Sequence, residues 1–287
     1  MRMQDNALAV KGLTKRYGRF ALENVSFSVP RGTVVGLVGE NGAGKSTTLN
    51  AALGLIHADA GSVEILGEQT LDAALCEQIG VVFDANAFPN ALTPEKLNRI
   101  FRRIYRTWEE ERYRSLLREV GLPADRRIGK LSKGMKMKLA IAAALSHGAK
   151  LLILDEATSG LDPIAREEIL DLLLDFVQAE DHAVLISSHI TSDLEKIADY
   201  IVFLHAGRVI FEKPKDELRY RYGIVRCGEA QFAAIDETDR VAWRRQDYEW
   251  EVLVADREAA QRKYPKSVVD PATIDEIMLL HIKGETK

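Results

Sequence analysis

The stretch Gly39-Glu40-Asn41-Gly42-Ala43-Gly44-Lys45-Ser46-Thr47 decides how the rest of the chain is interpreted. Its spacing, G-x-x-x-x-G-K-[ST], is that of a loop that binds nucleotide phosphates. The run from Val34 to Val38 before it is apolar without alternation, which is typical of a strand buried on both faces of a parallel sheet. A helix can begin at Ser46. The sequence therefore predicts a strand, a glycine-rich loop and a helix in that order.

The residues of this loop have distinct predicted roles. Gly39, Gly42 and Gly44 allow backbone N–H groups to turn inward around phosphate oxygens, and the helix N-terminus adds positive potential. Lys45 is expected to reach the outer phosphates, and the Ser46 hydroxyl to be a ligand of Mg²⁺. The remaining predicted contacts to the nucleotide are Asn41, Ala43 and Thr47. An ordinary glycine-rich turn is the alternative, and the strand before the loop argues against it.

Composition limits the class of protein. The chain has 287 residues, of which 46% are hydrophobic and 29% charged, enough for one large α/β domain with an appendage. A net charge of −4 argues against a nucleic-acid partner, and Cys76 and Cys227 lack metal-ligand spacing, as expected of reduced thiols in a cytoplasmic protein. No apolar run approaches the ~20 residues that cross a bilayer, so any membrane span is expected in another chain.

A second motif follows the loop. The apolar run from Leu151 to Leu154 ends in Asp155 and Glu156. Such a pair can hold Mg²⁺ and position a water for attack on a γ-phosphate, with Asp155 suited to the metal and Glu156 to the role of base. His189 follows another apolar strand. A lone histidine at a strand end is usually a polar residue with its hydrogen bonds satisfied by neighbours. The strand ends of such a sheet share one edge, however, so His189 could reach the γ-phosphate.

Residues 86–146 are predicted to be a helical insertion in the α/β domain. A first helix is expected to begin at Thr93-Pro94, with apolar residues on one face and arginines on the other. A second is expected at a capping box of Thr107 and Glu110, and a third after Ser132. The arginine face is interpreted as a solvated surface, with contact to anionic lipid or an acidic partner as the alternative.

In their order along the chain, these motifs resemble those of ATPase subunits of ATP-binding cassette (ABC) transporters. The match covers about residues 7–215. The motifs that carry it are Tyr17, the phosphate loop, Leu131-Ser132-Lys133-Gly134-Met135, Leu151 to Glu156, Ser159-Gly160-Leu161-Asp162 and His189.

The resemblance implies ATP and Mg²⁺ as cofactors and two subunits that face each other head to tail. Ser132, Gly134 and Asp162 of one subunit would then contact the nucleotide held by Lys45 of the other. It also implies that Tyr17 stacks on the base, that Glu156 is the catalytic base and that His189 senses the γ-phosphate. The alternative for Tyr17, judged from the residues alone, is a ring that covers a sheet edge.

The chain departs from the family pattern at two places. The signature usually reads L-S-G-G-Q, whereas this chain has Lys133 and Met135 in place of a glycine and the glutamine. Asp84 stands where the family has a glutamine that contacts Mg²⁺ and relays nucleotide state to the membrane subunit. A carboxylate there is expected to bind the ion through water.

Residues 218–287 are predicted to be a small α+β lobe. Tyr248 to Val254 alternate as a half-buried strand, and a capping box of Thr273 and Glu276 begins a last helix. The lobe resembles the C-terminal extension of bacterial exporter-type cassette ATPases. A regulatory or dimer-bracing role and simple packing on the chain's own sheet are both open interpretations.

Together these patterns predict an α/β fold: a P-loop NTPase core with a mostly parallel sheet, antiparallel N-terminal strands, the helical insertion and the lobe. The predicted domains are 1–217 and 218–287. The predicted function is the ATPase subunit of a transporter, as a homodimer or a heterodimer with another ABC ATPase subunit, at the inner face of the cell membrane. It would drive export through a separate permease that docks near Phe88, Leu92 and Leu97. The alternative is a soluble assembly or scaffold factor without a permease.

Overall fold

The structure is a computed structural model in which residues 5–84 and 88–286 are described. The strands are β1 (Asn6–Arg16), β2 (Ala21–Pro30), β3 (Val34–Val38), β4 (Ala60–Ile65), β5 (Ile79–Val82), β6 (Leu151–Asp155), β7 (Ala183–Ser188), β8 (Tyr200–His205), β9 (Arg208–Pro214), β10 (Gly223–Cys227), β11 (Ala242–Gln246), β12 (Glu249–Val254), β13 (Val268–Pro271) and β14 (Glu285–Thr286). The helices are α1 (Lys45–Ala52), α2 (Ala73–Cys76), α3 (Pro94–Ile104), α4 (Glu110–Glu119), α5 (Lys133–Ala144), α6 (Pro163–Phe176), α7 (Thr191–Ile197), α8 (Lys215–Arg221), α9 (Glu229–Ala234), α10 (Arg257–Lys263) and α11 (Ile274–Lys283), with a 3-10 helix at Ile128–Lys130.

A six-stranded sheet in the order β5-β6-β7-β3-β8-β9 forms the centre of the fold. All neighbouring strands are parallel except β8 and β9. Every residue of β3 is buried, as its non-alternating apolar run predicts. Val34 and Val38 pack into the core that contains α5 and α6, whereas Val35 and Leu37 pack on the opposite face against α1. The prediction of a mostly parallel sheet is confirmed.

The N-terminal strands form a separate antiparallel sheet in the order β2-β1-β4. Val25, Phe27 and Val29 of β2 are buried, and the residues between them are more accessible. Period-two alternation places these three side chains in the core with Leu49 of α1. Each fully buried aliphatic or aromatic side chain contributes on the order of 1.5–3 kcal/mol, so this face fixes the antiparallel sheet to the phosphate-loop layer.

The predicted helical insertion contains α3, α4 and the start of α5; residues 86 and 87 lie outside the described range. Thr93 caps α3 by accepting a hydrogen bond from the Lys96 backbone N–H at 3.3 Å, as expected. The capping box predicted for α4 is wrong. The Thr107 Oγ1 hydroxyl instead donates to the His147 carbonyl at 2.5 Å, and α4 begins at Glu110 without a side-chain cap.

The C-terminal lobe is a five-stranded antiparallel sheet in the order β13-β10-β12-β11-β14, with α11 beside it. The predicted capping box is confirmed, because Thr273 and Glu276 each accept a hydrogen bond from the other's backbone N–H. Ile277 of α11 is buried in the same core as Val34 of the central sheet. The lobe therefore packs directly on the α/β core. The predicted boundary at residue 217 falls within α8 and stays a prediction.

Among residues 5–84 and 88–286, no helix combines the length and the apolar composition that crossing a bilayer requires.

Candidate active site

A cleft lies at the edge of the central sheet where the carboxyl ends of β3, β6 and β7 meet. Ligands of open α/β sheets bind at this edge. The cleft is lined by Phe20, Glu40, Asn41, Gly42, Gly44, Lys45, Ser46, Thr47, Asp84, Glu156, Ser159 and His189. The structure thus brings together most of the loop residues predicted from the sequence with Asp84, Glu156 and His189. Within the described chain, Gly39, Ala43 and the third acidic candidate, Asp155, are not among the lining residues.

The shape of the phosphate loop depends on glycine. Gly44, the cap of α1, has φ 110°, in the region that favours glycine. A Cβ atom at this position would lie 2.6 Å from Leu22 Cδ2 and 2.8 Å from Phe20 Cζ, so a larger residue would be strained and would have to displace these side chains. Gly42 also has a positive φ, of 86°. These turns expose the N-terminus of α1 to the cleft, where the helix dipole favours an anion.

Lys45 and Glu156 meet in the cleft. Lys45 is 6% exposed, and its Nζ donates to the Gly39 carbonyl at 2.8 Å and lies 3.2 Å from Glu156 Oε1. His189 Nδ1 lies 2.6 Å from Glu156 Oε2. Because a carboxylate only accepts hydrogen bonds, Nδ1 carries the proton. Both oxygens of Glu156 are therefore held, one by a cation and one by an imidazole.

The backbone also directs the Glu156 side chain. Glu156 has φ 53°, an uncommon left-handed conformation for a residue other than glycine. Its backbone N–H contacts Ser187 Oγ at 3.1 Å, and Ser187 Oγ in turn donates to Asp155 Oδ1 at 2.5 Å. Ser187 is buried and lies opposite Asp155 in the pairing of β6 with β7. The sequence signal for Ser187 is a polar residue at the end of an apolar strand, which by itself assigns no role.

The donor groups fit Mg²⁺. The described residues contain no group of three or more His, Cys, Asp or Glu side chains that could hold a metal ion. Ser46 lines the cleft, and Asp155 ends β6 with its Oδ1 accepting from Ser187 Oγ. Both carry hard oxygen donors, and Mg²⁺ usually keeps several waters and binds one or two protein oxygens together with phosphate oxygens. A sparse oxygen set beside a phosphate loop suits that preference.

The aromatic wall of the cleft differs from the expectation. Phe20 lines it, whereas Tyr17 is not among the lining residues of the described chain. Tyr17 is 47% exposed, and the Lys15 ammonium lies 5.6 Å from its ring centroid. The Tyr17 N–H donates to the Phe20 carbonyl at 2.7 Å, so both rings belong to one turn. Sequence reasoning missed Phe20, and stacking of Tyr17 on a base stays a prediction.

Comparison with known proteins identifies the family. The model of the ABC transporter family matches residues 22–159. The bacitracin transport ATP-binding protein BcrA of Bacillus licheniformis is 36% identical over 214 residues, which are 73% of this chain and 70% of that protein. The chain belongs to the ABC transporter family. Members of this family bind ATP and hydrolyse it to power transport, and this chain is such an ATP-binding subunit.

Other relatives agree. The lantibiotic transport ATP-binding protein SrtF of Streptococcus pyogenes is 36% identical over 212 residues, 73% of this chain and 91% of that protein. A solved structure of an ATP-binding subunit of an ABC transporter is similar, with a TM-score of 0.68 and 33% identity over 74% of this chain and 92% of that one. The dimeric bacterial ABC transporter cassette MJ0796 has a TM-score of 0.65 and 27% identity, covering 72% of this chain and 98% of the cassette.

Three of the predicted ABC site residues lie together outside the cleft. Ser132 caps α5 by accepting from the Met135 N–H at 3.2 Å, and Asp162 caps α6 by accepting from the Ala165 N–H at 3.0 Å. A Cβ atom on Gly134 would lie 3.8 Å from Asp162 Oδ2. Ser132 and Asp162 are exposed at the starts of α5 and α6, and Gly134 is buried beside Asp162. Their predicted contact with a nucleotide across a dimer stays a prediction.

Proposed function

We propose that this protein works as a dimer around two Mg²⁺-ATP and powers export through a separate permease at the inner, cytoplasmic face of the cell membrane. One observation carries the proposal: Glu156 contacts both Lys45 and His189 in a cleft that the phosphate loop borders. The direction of transport is inferred from the relatives, whose names refer to bacitracin, a lantibiotic and, in Mycobacterium tuberculosis, doxorubicin resistance.

The proposed roles follow from the placement of each group. The backbone of Gly39, Asn41, Gly42, Ala43 and Gly44 would bind the phosphates. Ser46 and Asp155 would hold Mg²⁺, with Asp84 acting through water, and the ion would supply positive charge to the β- and γ-phosphate oxygens. Thr47 would contact the nucleotide from α1.

Hydrolysis would depend on Glu156. Its carboxylate would accept a proton from the attacking water, and His189 would hold Oε2 in place by donating from Nδ1. Lys45 would bind the outer phosphates. Its present contact with Glu156 Oε1 shows that both groups reach the same point of the cleft.

A second subunit would complete each site. The related cassette MJ0796 is described as dimeric. In this chain the segment from Ser132 to Gly134, together with Asp162, would face the partner's nucleotide. The partner would be a second copy or another ABC ATPase subunit.

The permease would bind a groove between the sheet and the helical insertion. We call it the β5 groove; it is lined by Ile79, Val81, Val82, Phe83, Phe88, Phe101, Tyr105, Ala140, Ala143, Ala144 and His147. Apart from His147 its lining is apolar or aromatic. Burial lowers the pKa of His147, whose ring stacks on Tyr105 at 4.4 Å, so the histidine adds no charge near pH 7. An amphipathic helix can bind in such a groove.

The predicted docking residues are corrected in part. Leu97 is 3% exposed and belongs to the core, and Leu92 packs against that core without lining the groove. Leu97 points inward because α3 packs its apolar face against α4 and the core. Phe88 does line the groove, with its ring 5.8 Å from that of Phe101.

A charge in the β5 groove should release the permease. We expect Phe88→Glu to abolish co-purification of a polytopic membrane protein with the tagged ATPase from detergent-solubilised membranes of its host. Burying an uncompensated carboxylate in an apolar interface costs several kcal/mol, which is enough to dissociate an ordinary complex. The measurement is the amount of membrane protein recovered per ATPase.

Tyr248→Glu is the matched control, because Tyr248 is an aromatic residue that is 98% exposed on the C-terminal lobe. It should retain the partner, and both variants should keep ATP binding and a normal melting temperature. Recovery of the wild type with soluble partners alone would favour the assembly-factor alternative. A Phe88→Glu variant that keeps its permease would remove the β5 groove from the proposal while leaving the ATPase function intact.

A further inference from the structure

Two of the three residues at which this chain departs from the pattern of its family, Lys133 and Asp84, contact each other. Lys133 Nζ lies 2.8 Å from Asp84 Oδ1. Lys133 is the first residue of α5, between Ser132 and Gly134, and Asp84 follows β5 and lines the ATP cleft. One ion pair therefore joins the cleft to the segment that the proposed dimer turns toward the partner.

Each of these charges is unfavourable in its own surroundings. A lysine at the first position of a helix stands at the positive end of the helix dipole, where a cation is disfavoured. Asp84 borders a cleft for an anionic triphosphate that already contains Glu156. Pairing offsets both costs at once. Substitution of only one of them would leave a charge that its surroundings oppose.

Lys133 also approaches a third segment. A Cβ atom on Gly160 would lie 3.4 Å from Lys133 Nζ, and Gly160 has φ 66°. Gly160 follows Ser159, which lines the cleft, and precedes Asp162, which caps α6. The ammonium group of Lys133 thus lies between Asp84 and the loop 159–162, which both border the cleft.

We propose that Lys133 is a positioning residue for Asp84 and that the pair couples a subunit's own ATP cleft to the start of α5. Lys133 neutralises Asp84 and holds its carboxylate at the border of the cleft. Asp84 holds the first turn of α5, and with it Ser132 and Gly134. The second half of this proposal rests on the dimer described under the proposed function, whereas the first half requires a single subunit.

A double-mutant cycle in ATP affinity tests the first half. The variants are Lys133→Gln, Asp84→Asn and both together, titrated with a fluorescent ATP analogue in EDTA and again with Mg²⁺. In EDTA, Lys133→Gln should weaken ATP binding about three- to tenfold, because an uncompensated charge faces the phosphates. Asp84→Asn should not weaken it, and the double variant should return to near the wild-type affinity. Saturating Mg²⁺ should reduce the effect of Lys133→Gln.

Controls separate this pairing from general loss of charge. Lys133→Arg keeps the cation and should bind ATP as the wild type does. Lys196 and Glu167 form another exposed ion pair, at 2.5 Å and 52% and 53% exposed, away from the cleft. The cycle of Lys196→Gln and Glu167→Gln should leave ATP affinity unchanged. Additive effects of Lys133→Gln and Asp84→Asn would overturn the proposal.

Hydrogen exchange of the segment 131–137 provides a readout that requires neither ATP nor a dimer. Exchange should be faster in Lys133→Gln and in Asp84→Asn than in the wild type. The double variant should exchange at the rate of the single variants, because each substitution removes the same contact. Unchanged exchange in both single variants would show that Asp84 does not hold α5. Failure of the wild type to bind ATP would instead overturn the proposed function, and the exchange measurement would still decide whether the pair holds α5.

Discussion

Glu156→Gln should reduce ATP hydrolysis at least about a hundredfold, in the range of a lost general base, while ATP binding stays near the wild-type affinity. The phosphate loop and the Lys45 contact to the Gly39 carbonyl do not involve the Glu156 side chain. A neutral amide of the same size fills the cleft but cannot accept a proton from water. ATP should therefore bind and remain intact.

The contacts of Glu156 sharpen this expectation. The amide retains one oxygen, which can still accept from Lys45, but its NH₂ group cannot accept the hydrogen bond that His189 Nδ1 now donates. His189 must therefore change tautomer or turn away. A second consequence is that the ATP-bound dimer should accumulate, because closure is no longer followed by hydrolysis.

Phosphate release, equilibrium binding of a fluorescent ATP analogue and sedimentation velocity measure the three expectations. Glu167→Gln is a matched control, because Glu167 is an exposed residue of α6 whose partner is Lys196. It should hydrolyse ATP at the wild-type rate. Near-normal turnover in Glu156→Gln would falsify the assignment of this residue as the base.

The parts of the site that depend on local sequence were predictable. The spacing of the phosphate loop, the acidic pair after β6 and the histidine after β7 are each contained in one short segment, and strand order brings their ends to one edge of the sheet. Periodicity similarly predicted the buried face of β2 and the buried strand β3. Local propensity and pattern agree with the global fold at these places.

Contacts between distant segments were not predictable. Thr107 fits a capping box by spacing, yet its hydroxyl bonds to the His147 carbonyl, forty residues away in the chain. Phe20 and Tyr17 share one turn, and the backbone path of that turn decides which ring faces the cleft.

The pairing of Lys133 with Asp84 required the structure for the same reason. The sequence marked each residue as a departure from the family, but no pattern placed the start of α5 beside the end of β5. Leu97 shows the converse: its apolar character was clear, but only the packing of α3 shows that it belongs to the core.

Lys45→Met should weaken ATP binding by about one to two orders of magnitude and remove measurable hydrolysis. A charge-assisted hydrogen bond contributes roughly 1.5–3 kcal/mol, and Lys45 offers its charge at the point of the cleft that Glu156 also reaches. Methionine retains the apolar stem of the side chain as far as Cε, with sulfur in place of Cδ, and lacks the ammonium group. The loss of ATP affinity therefore reports the charge of Lys45 and its hydrogen bonds rather than its packing.

A control variant and a combined variant separate phosphate binding by Lys45 from its ion pair with Glu156. Removal of Lys45 also deprives Glu156, 17% exposed, of its cation, so the melting temperature must be measured beside ATP affinity. Lys196→Met is the control for loss of an exposed lysine, and it should change neither quantity.

A combined Lys45→Met and Glu156→Gln variant removes both charges of the pair. It should recover any lost stability but not ATP affinity, because the phosphates still lack their cation. If the combined variant bound ATP as tightly as the wild type, the role of Lys45 would be to neutralise Glu156, and phosphate binding would have to be assigned to the backbone of the loop alone.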